Sequence, residues 1–90
     1  MSAVNGWRHQ DRCRFYDALI ADGWMTVRDA RPVERLIRGG DEVRIEREYY
    51  RTARVIRGNS SCMVDGGGGR GWPERLARAC VVAVSTMVAP

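Results

Sequence analysis

Ninety residues make one small domain, 1–90, and such a chain hides only about 60–65% of the surface its unfolded form exposes. Fifteen arginines and no lysine stand against eleven acidic residues, for a formal charge of +4, a balance that favours anionic partners. The longest apolar run, Cys80 to Val84, is too short to cross a bilayer, and Met1 to Gln10 has no apolar stretch of signal-peptide type. Cys13, Cys62 and Cys80 are odd in number and far apart, which implies neither a disulfide framework nor a metal site. The expectation is a cytoplasmic protein without cofactor or membrane contact, with a homodimer as one way to supply missing burial.

Residues 9–22 read as an amphipathic helix with Cys13, Tyr16, Leu19 and Ile20 at helical spacing, stopped by Gly23. Trp24 to Val27 suits a short strand. Pro32 fits the first turn of a short second helix through Val33, Leu36 and Ile37, ending at Gly39-Gly40. Asp41 to Arg57 reads as a hairpin turning near Glu48 to Tyr50, with Val43, Ile45, Tyr49, Ala53 and Val55 on one face. A helix with Ile45, Tyr49, Ala53 and Ile56 as its stripe is the alternative there. Residues 58–71 read as a flexible glycine-rich loop, with four consecutive glycines at Gly66 to Gly69. Pro73 then opens a helix through Leu76, Ala77 and Cys80, and Val81 to Val88 is either its continuation or a closing strand. The sum is an α+β domain, with an all-α bundle as the alternative.

Gly66, Gly68 and Gly71 satisfy G-x-G-x-x-G, but any glycine tract does so, and no acidic residue follows Glu74 to hold a ribose. A flexible connection is the better reading, with Arg70 and the glycine backbone able to touch phosphate or unpaired bases. His9, Cys13 and Asp17 lie four apart on the first helix, yet the chain holds no second histidine to complete a metal site. That lone His9 also leaves no Ser-His-Asp or Cys-His arrangement, so no catalytic residues are assigned and an enzyme is not expected.

The arginines carry the functional reading. A guanidinium is always charged and presents a planar fork of donors suited to phosphate or carboxylate. A GC-rich genome, which replaces lysine with arginine throughout, accounts for most of the absence of lysine. Arg28, Arg31, Arg35 and Arg38 cluster on or beside the second helix, and Arg44, Arg47, Arg51, Arg54 and Arg57 follow on the hairpin. Such a helix can enter a major groove while the hairpin runs along the backbone.

Met25-Thr26-Val27-Arg28-Asp29-Ala30, then Glu34-Arg35-Leu36-Ile37-Arg38-Gly39-Gly40 and Val43-Arg44-Ile45, resembles part of the excisionase and MerR-type winged-helix pattern. The resemblance implies a first helix, a recognition helix and a wing. It departs where that family places its turn: those residues are missing, and Pro32 stands at the junction. Leu36 to Ile45 is similar to a fragment of S4-type RNA-binding domains.

The expected function is therefore a small non-enzymatic nucleic-acid-binding or regulatory protein of phage or mobile-element type. Arg28, Arg31, Arg35, Arg38, Arg44, Arg47, Arg51 and Arg70 are its candidate contacts. The alternative is a protein-binding module, an inhibitor or assembly subunit, that meets an acidic protein surface through Trp24, Tyr49, Tyr50 and arginines.

Overall fold

A computed structural model describes residues 7–27, 34–46 and 50–87. Among these, two helices bracket a five-stranded antiparallel sheet: α1 (His9–Ala21), β1 (Met25–Val27), β2 (Glu34–Arg38), β3 (Asp41–Ile45), β4 (Thr52–Arg57), β5 (Ser60–Asp65) and α2 (Trp72–Thr86). The strands pair in chain order, each with its sequence neighbours. This is an α+β architecture, and the all-helical alternative is excluded.

Two-residue turns make the meander. Arg38 pairs with Asp41 across Gly39-Gly40, and Arg57 pairs with Ser60 across Gly58-Asn59. Gly39 and Gly58 both have φ of 60°, while the residue after each does not enter positive φ. That is the type II′ pattern, whose twist matches the strands it joins and which glycine enters without a Cβ clash.

The sheet has one packed face. Leu36, Val43, Ile45, Ala53 and Val55 are buried there against Phe15 and Leu19 of α1 and Leu76, Ala77, Cys80 and Val84 of α2. α2 lies over β4 and β5, and α1 lies beside α2 and over β1. On the second face a row of register partners crosses all five strands: Val27, Arg35, Arg44, Arg54 and Met63. Arg12 and Tyr16 both bond the Glu34 carboxylate, tying α1 to β2. Burial, and then that carboxylate, push the Tyr16 hydroxyl above its usual range.

Several expectations are corrected. The short helix through Leu36 and Ile37 is strand β2, because only Leu36 reaches the core and Gly39-Gly40 turns the chain back instead of ending a helix. With Met25–Val27 and Glu34–Arg38 both extended, the two helices implied by the winged-helix resemblance are absent at those residues. The span 41–57 is a strand pair and not a helix; Glu48 and Tyr49 of its turn, like Pro32 and Val33, fall outside the described residues. The expected loop 58–71 contains strand β5 over Ser60–Asp65. The α1 stripe is rotated from its expected position: Phe15 and Leu19 are buried, while Cys13 and Ile20 are exposed. α2 continues through Thr86, so the tail is no closing strand. No helix among the described residues is long and apolar enough to cross a membrane.

Candidate nucleic-acid interface

Like charges directly opposite one another across strands repel, yet Arg35, Arg44 and Arg54 occupy adjacent positions in a single row. Carboxylates from the same face answer them. Arg44 Nε donates to Glu42 Oε2 at 2.5 Å, and Arg35 Nε lies 2.9 Å from the same oxygen. That second contact is an ion pair without hydrogen-bond geometry, so the buried Arg35 Nε is left without a hydrogen-bond partner. Arg54 Nε donates to Glu46 Oε1 at 3.0 Å.

Arg38 and Arg57 of the expected module turn to the C-terminal ends of the helices. Arg38 pairs with the Asp22 carboxylate, donates to the Asp22 carbonyl at 3.2 Å and lies 4.7 Å from the centroid of the Trp24 ring. Arg57 donates twice to Asp41, at 2.9 and 3.1 Å, and once to the Met87 carbonyl at 3.2 Å. Asp22 and Met87 cap the C-terminal ends of α1 and α2, where a cation meets the negative end of the helix dipole. The Arg57 bonds hold the Asp41 carboxyl below its ordinary value. Trp24, expected as an interface anchor, is 1% exposed and belongs to the core. Arg28, Arg31, Arg47 and Tyr49 lie outside the described residues.

The opposite end of the molecule is built differently. Both helices begin there: the Trp7 ring, just before α1, meets the Trp72 ring of α2 at 5.0 Å, and Trp7 Nε1 donates to the Tyr50 carbonyl at 2.8 Å. The Gly66 N–H extends the β4–β5 ladder to the Arg51 carbonyl at 2.8 Å. The glycine segment then folds around Arg75. Its Nε donates to Gly66 O at 3.0 Å, its Nη1 to Arg70 O at 2.8 Å, and its Nη2 to Gly68 O. These carbonyls face inward to a guanidinium, so the segment is not an empty phosphate cradle. Gly66 must be glycine: a Cβ there would stand 2.8 Å from the Trp72 carbonyl.

Arg51 stacks over Trp72 at 5.2 Å and reaches Gly67 O at 3.5 Å. Arg70 and Arg8 are exposed, and their guanidinium groups make no hydrogen bond or ion pair among the described residues. The acids at this end are already engaged. Asp65 accepts from the Gly67 N–H at 2.6 Å. Glu74 takes two bonds from Arg14 at 2.8 and 2.7 Å, and Asp11 lies 3.8 Å from the same guanidinium. Neither helix carries a side-chain N-cap bond. Cationic side chains and two helix N-termini therefore accumulate at one pole.

His9 Nε2 and Cys13 Sγ are 3.5 Å apart, and no cluster of three metal-ligating side chains occurs among the described residues. Of the five candidate arginines among the described residues, Arg51 and Arg70 stand at this pole and Arg35, Arg38 and Arg44 do not. Arg8 and Arg75 were missed. The signal available for Arg8 was an arginine set beside a tryptophan at a helix start, Trp7-Arg8, as in Arg70-Gly71-Trp72-Pro73; no local pattern marked Arg75. Compared with known protein families, curated proteins and solved structures, the chain finds no match.

Proposed function

We propose that the protein is a non-enzymatic, cytoplasmic nucleic-acid-binding protein that takes phosphate at the pole where its helices begin. One observation carries this reading: Arg8, Arg51 and Arg70 stand at the positive ends of two helices, without carboxylate partners among the described residues. Each helix N-terminus already bears roughly half a positive charge, and a cation beside it costs about 0.3–1 kcal/mol. The chain places Arg38 and Arg57 where dipoles favour cations, so the cations at the other pole run against the local field. A bound anion removes that conflict, since phosphate oxygens accept from guanidinium donors in a charge-assisted way. Arg8, Arg51 and Arg70 are the phosphate contacts in this reading, and Arg75 positions the backbone that carries Arg70. Tyr50, 57% exposed and next to Arg51 in the chain, offers a ring on which an unpaired base can stack.

The test is an anisotropy titration of a labelled single-stranded oligonucleotide across a salt series. With two or three phosphates neutralised, log K should fall against log salt with a slope of about −1.4 to −2.1. Absence of binding at about 50 mM salt contradicts the proposal, because the electrostatic term is strong at that ionic strength.

A further inference from the structure

In a chain with 29% charged residues, Ser60 to Val64 and Ala79 to Met87 contain none, and the fold brings these two stretches together, α2 over β5. On β5 itself Met63 is 41% exposed, on the sheet face turned away from α2. β5 is also a sheet edge. Among the described residues it pairs with β4 on one side and with nothing on the other.

Edge strands are normally protected by charge, proline, a bulge or brevity. The other edge, β1, is three residues long. β5 has six, with a regular register to β4 and no charge before Asp65.

The ladder fixes which backbone groups are open. Gly66 N bonds Arg51 O, and Gly66 shares its parity with Ser60, Cys62 and Val64. Those three residues therefore spend their N–H and C=O groups on β4, and Ser61, Met63 and Asp65 aim theirs outward.

We infer that two copies of this chain pair β5 with β5 antiparallel about a two-fold axis at Met63, making one continuous sheet. In that register each outward residue meets an outward residue, as a hydrogen-bonded pair requires. Met63 faces the partner's Met63. Ser61 faces the partner's Asp65, a hydroxyl donor against a carboxylate whose Oδ1 already takes the Gly67 N–H. Cys62 faces the partner's Val64, apolar against apolar. Sliding the axis to Cys62 sets Val64 opposite the partner's Ser60 and Asp65 opposite the partner's Asn59, which loses both matches. A closed two-fold contact also ends the exposed edge instead of propagating it.

The experiment is sedimentation equilibrium on nuclease-treated protein, so that mass is read without nucleic acid. Wild type should weigh twice the 10.2 kDa chain. Met63→Lys places two like charges directly opposite at the axis while its own position stays exposed in the single chain. It should run at 10.2 kDa with an unchanged far-ultraviolet spectrum. Met25→Lys, 67% exposed on the other edge strand, should leave the dimer intact. A wild type that stays at single-chain mass across the accessible concentration range overturns the inference, as does a Met63→Lys variant that remains dimeric.

Discussion

Arg35, Arg44 and Arg54 sit in a row across the sheet, each within 3.0 Å of a glutamate oxygen. Arg51 and Arg70 sit where the helices begin, one over an indole and the other in solvent. The two groups share the same side chain and differ in what the fold supplies to them. On the sheet, Glu42 falls in the row next to Arg35 and Arg44, so register brings both guanidinium groups to one shared carboxylate. At the pole, Asp11 and Glu74 are taken by Arg14, and Asp65 by a backbone N–H. A count of arginines along the chain therefore says little about surface potential; pairing decides it.

The comparison breaks most severely if the pole is unmade. Gly66→Ala forces a Cβ to within 2.8 Å of the Trp72 carbonyl and 3.0 Å of the Leu76 Cβ. Overpacking against backbone should cost about 2–3 kcal/mol, read as a fall in melting temperature of roughly 10–20 °C. Arg75→Ala comes next: the carbonyls of Gly66, Gly68 and Arg70 lose their common donor. A loss of about 1–2 kcal/mol is expected in a denaturant titration, and oligonucleotide affinity should fall with it although Arg75 touches no phosphate.

Acid titration sharpens the opposite pole. The Asp41 carboxyl is lowered from its ordinary 3.8 by the Arg57 bonds. Above 3.8 the pair contributes fully. As pH falls, the unfolded chain takes up the proton first, and the contribution is gone once the lowered folded value is passed. Melting temperature should decline from about pH 5 downward in the wild type, and Asp41→Asn should flatten that limb while lowering stability at neutral pH. A limb equally steep in the variant removes Asp41 from the account. The smallest effect belongs to the sheet row: Arg35→Ala should change stability by less than about 1 kcal/mol in the same titration, since half-exposed pairs contribute little.

How far the sequence could be read depended on burial. β3 and β4 were legible because Val43, Ile45, Ala53 and Val55 alternate onto a face that α2 covers, and α1 ended within a residue of its expected stop. β5 was illegible for the opposite reason. As an edge strand, Ser60 to Asp65 packs only Val64 against the core, too little of an inward face to impose alternation. The informative signal was the turn: Gly39-Gly40 and Gly58-Asn59 each join strands in two residues, a hairpin mark stronger than the Leu36-Ile37 doublet that suggested a helix. Trp24 misled in a similar way, since its type fits an interface but its position behind Gly23 sends it inward beneath Arg38. For the site, no local spacing announces that Arg14 will claim Glu74 or that Arg57 will claim Asp41. Those partners are 60 and 16 positions apart and meet only in the fold.

The most direct measurement sets the two arginine groups against each other in one binding assay. Oligonucleotide affinity is followed over a salt series for Arg51→Ala/Arg70→Ala and for Arg35→Ala/Arg44→Ala. The pole variant should bind more weakly and flatten the slope by about 1.4, the share of two phosphate contacts on a single strand, while the sheet variant follows the wild type. The reverse pattern, an unmoved pole variant and a weakened sheet variant, would contradict the account.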